Sequence, residues 1–193
     1  MKVNKFAVCV IAGLVFGTAA FAQETETTVE SEYMSSMEDI IITELCNADE
    51  RESKELALQM LGEAIDKGNV SPDMMIALDH LAGEGINTQT RQKGRLMNNL
   101  PDVRRDACIL MGKIKTKDSA IKLNKIVKGD NEPMVITAAV RSLGEIGINE
   151  NDEVSNTIAF YSDRIQNLNP SSSLALEVVN AFEKLSGAIK DTK

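Results

Sequence analysis

The sequence predicts an all-α protein, an α-solenoid of stacked antiparallel helix pairs, and three observations carry that expectation. A helical phrase occurs twice. Residues 101–114 and 133–146 align at a shift of 32, with Pro101/Pro133, Val103/Val135, Ala107/Ala139, Gly112/Gly144 and Ile114/Ile146 identical. Self-similarity at such a period is the signature of stacked repeats, each of which buries its apolar face only against its neighbours. Aromatic residues are scarce, with two Tyr, five Phe and no Trp, so the core must be made of Leu, Ile, Val, Ala and Met, which suits layered helices. Apolar residues also recur at steps of three and four along most of the chain. At 193 residues, 43% apolar and 26% charged, the chain is long enough for one domain with a sizeable core.

Residues 1–22 read as a signal peptide. Lys2 and Lys5 open it, Phe6 to Gly17 is uncharged and mostly apolar, and Ala20-Phe21-Ala22 is a small-x-small cleavage site before Gln23. The apolar run is too short to span a bilayer, and no later stretch is longer. An exported protein, periplasmic or secreted, with no integral membrane segment after cleavage, is therefore expected. Cys9 falls too early in the run to serve readily as a lipidation cysteine. Residues 23–34, rich in Glu and Thr without a helical period, read as a flexible acidic tether.

The repeat domain is expected over 35–189. Ser35-Ser36 caps a helix of 35–48 with Met37, Ile40, Ile41 and Leu45 as its apolar stripe. The next helix, 51–67, carries an older copy of the phrase, since Ala57 and Gly62 match Ala107 and Gly112 at a shift of 50. Ser71-Pro72 starts a helix that Gly83 and Gly85 stop, with Met74, Met75, Leu78, Leu81 and Ala82 inward. Residues 86–99 interrupt the pattern as an insertion, either a small hairpin turning at Gln92-Lys93-Gly94 or a polar loop. Insertions in stacked repeats emerge on one face, often the binding face.

In the phrase at 101–114, proline suits the first turn, and Val103, Ala107, Leu110 and Ile114 share one face. Small residues at Ala107 and Gly112, repeated at Ala139 and Gly144, predict close approach of a neighbouring helix. Helix 117–128 is expected to turn Ile121, Leu123, Ile126 and Val127 inward and Lys122, Lys125 and Lys128 outward. The second phrase ends at Gly147. A helix of 151–167 follows, with Val154, Ile158, Phe160, Tyr161 and Ile165 as its stripe, and Asn169-Pro170 stops it. A last helix after Ser171-Ser173 carries Leu176, Val178, Val179, Phe182 and Leu185, and 190–193 is a solvated tail.

At these residues the chain resembles the HEAT-repeat family, in particular short bacterial HEAT-like repeats. The family's first helix reads as a proline, then Val-Arg, then an alanine, with Leu-Gly near the end. Pro101, Val103-Arg104, Ala107 and Met111-Gly112 follow it, as do Pro133, Val135, Ala139 and Leu143-Gly144. The second copy departs at Ile136, where the family has arginine, so the arginine ladder between repeats is broken there. The resemblance implies a HEAT-like fold that mediates protein contacts. It says almost nothing about activity.

Catalytic constellations are not expected. His80 is the single histidine and lies between apolar helical positions, as a surface or hydrogen-bonded group. Cys46 and Cys108 have no ligand-like spacing and read as buried free thiols, with a disulfide as the alternative in an exported protein. Glu150, Asp152 and Glu153 open a helix, where negative charge favours the amide ends. No metal, cofactor or nucleic-acid signature is present; the expectation is that the protein is not an enzyme.

Charge is unevenly distributed. Residues 91–128 hold 11 Lys and Arg against Asp102, Asp106 and Asp118, while 24–66 hold 13 acidic residues against Arg51 and Lys54, in a chain of net charge −8. A positive middle between acidic ends steers an anionic partner or favours self-association. The candidate partner-binding residues are Arg91, Lys93 and Arg95 of the insertion with Arg104 and Arg105, which stand where the second phrase has Ile136-Thr137. The expected role is a non-catalytic binding or scaffolding module of the bacterial cell envelope. The alternatives are an accessory or lyase-like member of the HEAT-like class and a self-assembling envelope protein. N-terminal sequencing of the protein recovered from cells is expected to begin at Gln23; an intact Met1 would remove the export reading.

Overall fold

The computed structural model describes residues 29–87 and 89–188. The expected signal peptide, residues 23–28 of the tether and the tail at 190–193 lie outside the described residues. The chain divides into two units, Met1–Met34 and Ser35–Lys193. In the first, the described residues, 29–34, are helical.

The described residues are mostly helical. The elements are α1 (Val29–Asn47), α2 (Arg51–Asp66), α3 (Pro72–Ala82), β1 (Arg91–Gln92), β2 (Arg95–Leu96), α4 (Pro101–Ile114), α5 (Lys117–Gly129), α6 (Pro133–Ile146), a 3-10 turn (Glu150–Asp152), α7 (Glu153–Leu168) and α8 (Ser172–Ala188). Among the described residues no helix is long and apolar enough to cross a membrane. Local chemistry accounts for many of the boundaries. Proline occupies the first turn of α3, α4 and α6, and the hydroxyls of Ser71 and Thr116 accept from the amides of Met74 and Ser119, both at 3.1 Å.

Helices alternate between two rows. In one row α2, α4, α6 and α8 pack in succession; in the other α3, α5 and α7 do. The C-terminal half of α1 stands beside α3, where Asp39 accepts a 2.8 Å hydrogen bond from the Ser71 hydroxyl. The core fills the space between the rows with Leu61, Met74, Leu78, Met111, Leu123 and Leu143, each fully buried. Burying an apolar side chain of this size contributes about 1.5–3 kcal/mol, which is why the rows need each other more than any helix needs its own propensity.

The glycines of the repeated phrase mark close contacts between neighbouring helices, as the sequence predicts. A Cβ on Gly112 would lie 2.7 Å from Cβ of Ser142 on α6, and one on Gly144 would lie 2.8 Å from Cα of Ala181 on α8. The older copy behaves differently. A Cβ on Gly62 would meet Leu110 Cδ2 at 3.5 Å, an ordinary contact, because the large Leu110 stands where the next helix has Ser142.

Several stripes are rotated from expectation. In α4 the buried arc is Val103, Arg104, Ala107, Cys108, Met111 and Gly112, with Leu110 and Ile114 only partly buried. Ile121 is exposed, and Lys122 turns partly inward to pair with Asp79 at 3.0 Å, so Lys122 is not a solvent-facing lysine. Met37, Ile40 and Ile41 are exposed, with Ile42 and Cys46 buried instead. Phe160, Leu176 and Val179 are exposed as well, because α7 and α8 are last in their rows and one side of each lacks a following helix. α1 begins at Val29 instead of 35, so residues 29–34 are helix and not an irregular tether.

The glycine contacts generate a paired prediction. Gly112→Ala should destabilise by about 1–3 kcal/mol through overpacking against Ser142. Gly62→Ala should stabilise by up to about 1 kcal/mol, because helix propensity improves without a clash. Urea unfolding of the two variants measures both, and equal midpoints would remove the distinction between the contacts.

Candidate functional site

The insertion between α3 and α4 is a hairpin. Arg91 pairs with Leu96 and Gln92 with Arg95, and the Met97 amide donates to the Thr90 carbonyl at 2.8 Å. Lys93 and Gly94 form the two-residue turn with φ of 50° and 81°, the left-handed pair that matches the twist of the flanking strands. Thr88 lies outside the described residues. Arg91, Lys93 and Arg95 are exposed and make no ion pair with any described residue, although Arg91 donates to Gln89 Oε1 at 3.0 Å. Since opposite residues of an antiparallel pair share a face, Arg91 and Leu96 project to one side and Gln92 and Arg95 to the other.

A buried polar network holds the root of this hairpin. Asn98 donates to Glu84 Oε1 at 2.6 Å, and Glu84 Oε2 is 3.0 Å from Lys54 Nζ, which also donates to the Cys46 carbonyl at 2.7 Å. Lys54 and Glu84 are both buried. Gly85 (φ 73°) brings the chain against the returning strand so closely that any side chain would overlap the Asn98 carbonyl.

Arg104 belongs to the same network and not to the surface. Its Nε donates to Asp130 Oδ2 at 2.7 Å and its Nη1 to the Glu84 carbonyl at 3.1 Å and to Asn99 Oδ1 at 3.0 Å. Only 1% of the residue is exposed, so the expectation that Arg104 meets a partner is corrected. The physical reason is register: Arg104 lies three residues before Ala107, on the inner face. Asp130 in turn accepts from the amides of Asn131 and Glu132 at 2.7 and 2.9 Å, ahead of α6. Arg105 is half-exposed but paired with its neighbour Asp106, Nε to Oδ1 at 2.7 Å. Of the five candidate residues, Arg91, Lys93 and Arg95 therefore remain exposed on the hairpin without an ion pair among the described residues.

Lys54, Glu84, Asn98 and Asp130 were not anticipated. The signal was available for Lys54, which matches Arg104 at the same shift of 50 that relates Ala57 to Ala107. At the third position of the series Ile136 is fully buried, and that register holds an apolar side chain where the other two hold cations.

The remaining reactive groups are quiet. Cys46 and Cys108 are both free and buried. Burial pushes the Cys46 thiol up to about 11 and the Cys108 thiol higher still, so neither supplies a thiolate nucleophile near neutral pH. His80 lines a groove of about 300 Å³ between α1 and α3 with Thr43, Cys46 and Asp73, and its Nδ1 is buried without a protein partner among the described residues. Among the described residues no three His, Cys, Asp or Glu side chains converge as metal ligands. In comparison with known proteins, no family model, no curated protein and no solved structure matches the chain.

The network predicts a sharp contrast between adjacent arginines. Arg104→Met leaves Asp130 buried and uncompensated and should cost about 3–5 kcal/mol. Arg105→Met, at a half-exposed pair, should stay within about 0.5 kcal/mol of the parent. Chemical denaturation of both variants is the measurement, and similar losses would place Arg104 outside the interior.

Proposed function

We propose that this chain is an exported HEAT-like α-solenoid that works as a non-catalytic binding or scaffolding module of the bacterial cell envelope. Its partner surface is the hairpin with Arg91, Lys93 and Arg95. The observation that carries this reading is that those three exposed cations have no ion pair among the described residues. Many of the neighbouring basic residues are neutralised at short range: Lys117 by Glu150 at 2.6 Å, Lys128 by Glu153 at 3.3 Å, Lys113 by Asp66 at 2.8 Å and Arg105 by Asp106. The hairpin cations project from an insertion whose root is clamped from inside, so the backbone that carries them is held before a partner arrives. Such preorganisation lowers the ordering cost of binding.

The fold part of the proposal draws on two rows of helices in which every second element packs in succession, on the glycine contacts at Gly112 and Gly144, and on the ion pairs at Lys54 and Arg104. Stacked helix pairs of this kind offer long surfaces with shallow grooves, which suit protein contacts better than small-molecule chemistry. Export rests on the sequence at 1–22.

Crosslinking and recovery of partners from intact cells tests the proposal. Arg91→Glu, Lys93→Glu and Arg95→Glu together should abolish recovery of the partner while helicity is unchanged. Recovery by the parent protein should weaken as salt rises toward about 0.15 M, where the Debye length is about 8 Å. Unchanged recovery by the reversed protein, with the same salt dependence, would remove the hairpin as the binding surface.

A further inference from the structure

We infer that the exposed face of α1 docks on the basic hairpin of a second copy of this chain, an inference that rests on reading the hairpin as a binding surface. Two patches on the same chain are open and opposite in character. On α1, Met37, Ile40 and Ile41 are 38%, 54% and 45% exposed, although steps of three and four put them on one helical face. The opposite face of α1 is already buried through Ile42 and Cys46. A helix apolar on two sides needs cover on both, and among the described residues only one is covered.

Charge decides what covers the other. The exposed stripe includes Glu44 and is edged by Glu38, and no Lys or Arg occurs between Val29 and Asn47. Packing α1 against α1 of another copy would bring like charges together, so a symmetrical helix pair is disfavoured. The complementary surface must be basic with an apolar centre. The hairpin offers that chemistry: Lys93 at the turn and Arg95 on β2 supply the charge, and Met97, just past the strand, is 55% exposed. Lys125, also a cation without a described ion pair, lies on α5 between Lys122 and Lys128, which acidic neighbours already hold. A reciprocal contact, each α1 on the other copy's hairpin, closes a two-fold dimer; a one-way contact propagates a chain.

Sedimentation velocity of the full chain, purified from cells, tests the inference at low and high salt. The parent protein should sediment above single-chain mass and shift toward it as salt rises. Lys93→Glu with Arg95→Glu, or Glu38→Lys with Glu44→Lys, should each weaken association about tenfold or more, and the four changes together should restore it. Met97→Glu, at an exposed position that cannot unfold the core, should also dissociate the copies, and circular dichroism confirms that each variant is folded. A parent protein at single-chain mass under every condition, or a four-fold variant no better than either pair, would overturn the inference. A single-chain protein that still recovers a partner through the intact hairpin would overturn the second copy alone and leave the hairpin as a docking surface. Association that survives Lys93→Glu with Arg95→Glu would overturn the role of the hairpin in self-contact.

Discussion

The buried pair of Arg104 and Asp130 is the constraint on which the middle of this protein depends. Both side chains are almost fully excluded from solvent. Leaving either charge unpaired in the interior would cost several kcal/mol, so only a packing that brings the start of α4 to the turn before α6 is tolerated. The same guanidinium reaches the Glu84 carbonyl and Asn99, and Glu84 reaches Lys54 and Asn98. One continuous polar seam therefore runs from α1 through the roots of the insertion to the entrance of α6. Replacing such a buried pair by apolar residues of matched volume is often neutral, whereas removing one partner alone is costly.

Beyond that seam the packing changes kind. At Ile136, the third position of the series, the cation is replaced by a buried apolar side chain, and the helices approach closely through Gly112 and Gly144. At the other end Gly62 faces the bulky Leu110 with ordinary spacing. The N-terminal half thus adds buried ion pairs to its apolar core and carries the insertion, whereas the C-terminal half brings its helices into closer contact. The hairpin sits where the two regimes meet. It gains fixed roots from the polar side without having to be buried itself, and its three cations remain exposed at the surface.

The helix starts at Pro72, Pro101 and Pro133 and the Gly112 and Gly144 contacts were legible in the sequence because their causes are local or repeated. Proline at a first turn, a hydroxyl cap and the 32-residue register each act within a few residues or recur in the chain, and α3, α4 and α6 start at the prolines where the sequence expects them. The direction of several side chains was not legible. Ile121 and Lys122 exchange their expected surroundings, as a rotation of the buried arc by one residue is invisible to a three-and-four pattern when both neighbours are apolar or amphipathic.

What the sequence determined by itself was the class of elements, their order, the repeat that relates them and the uneven distribution of charge, all properties of spacing and composition. Only the tertiary structure decided which charges are free. Arg91, Lys93, Arg95, Arg104 and Arg105 look alike as a basic run, yet the fold buries one against Asp130, pairs another with Asp106 and leaves three exposed on a hairpin. Neutralisation and burial depend on groups as far as 26 residues away in the chain, such as Asp130 for Arg104, and no local pattern encodes that distance.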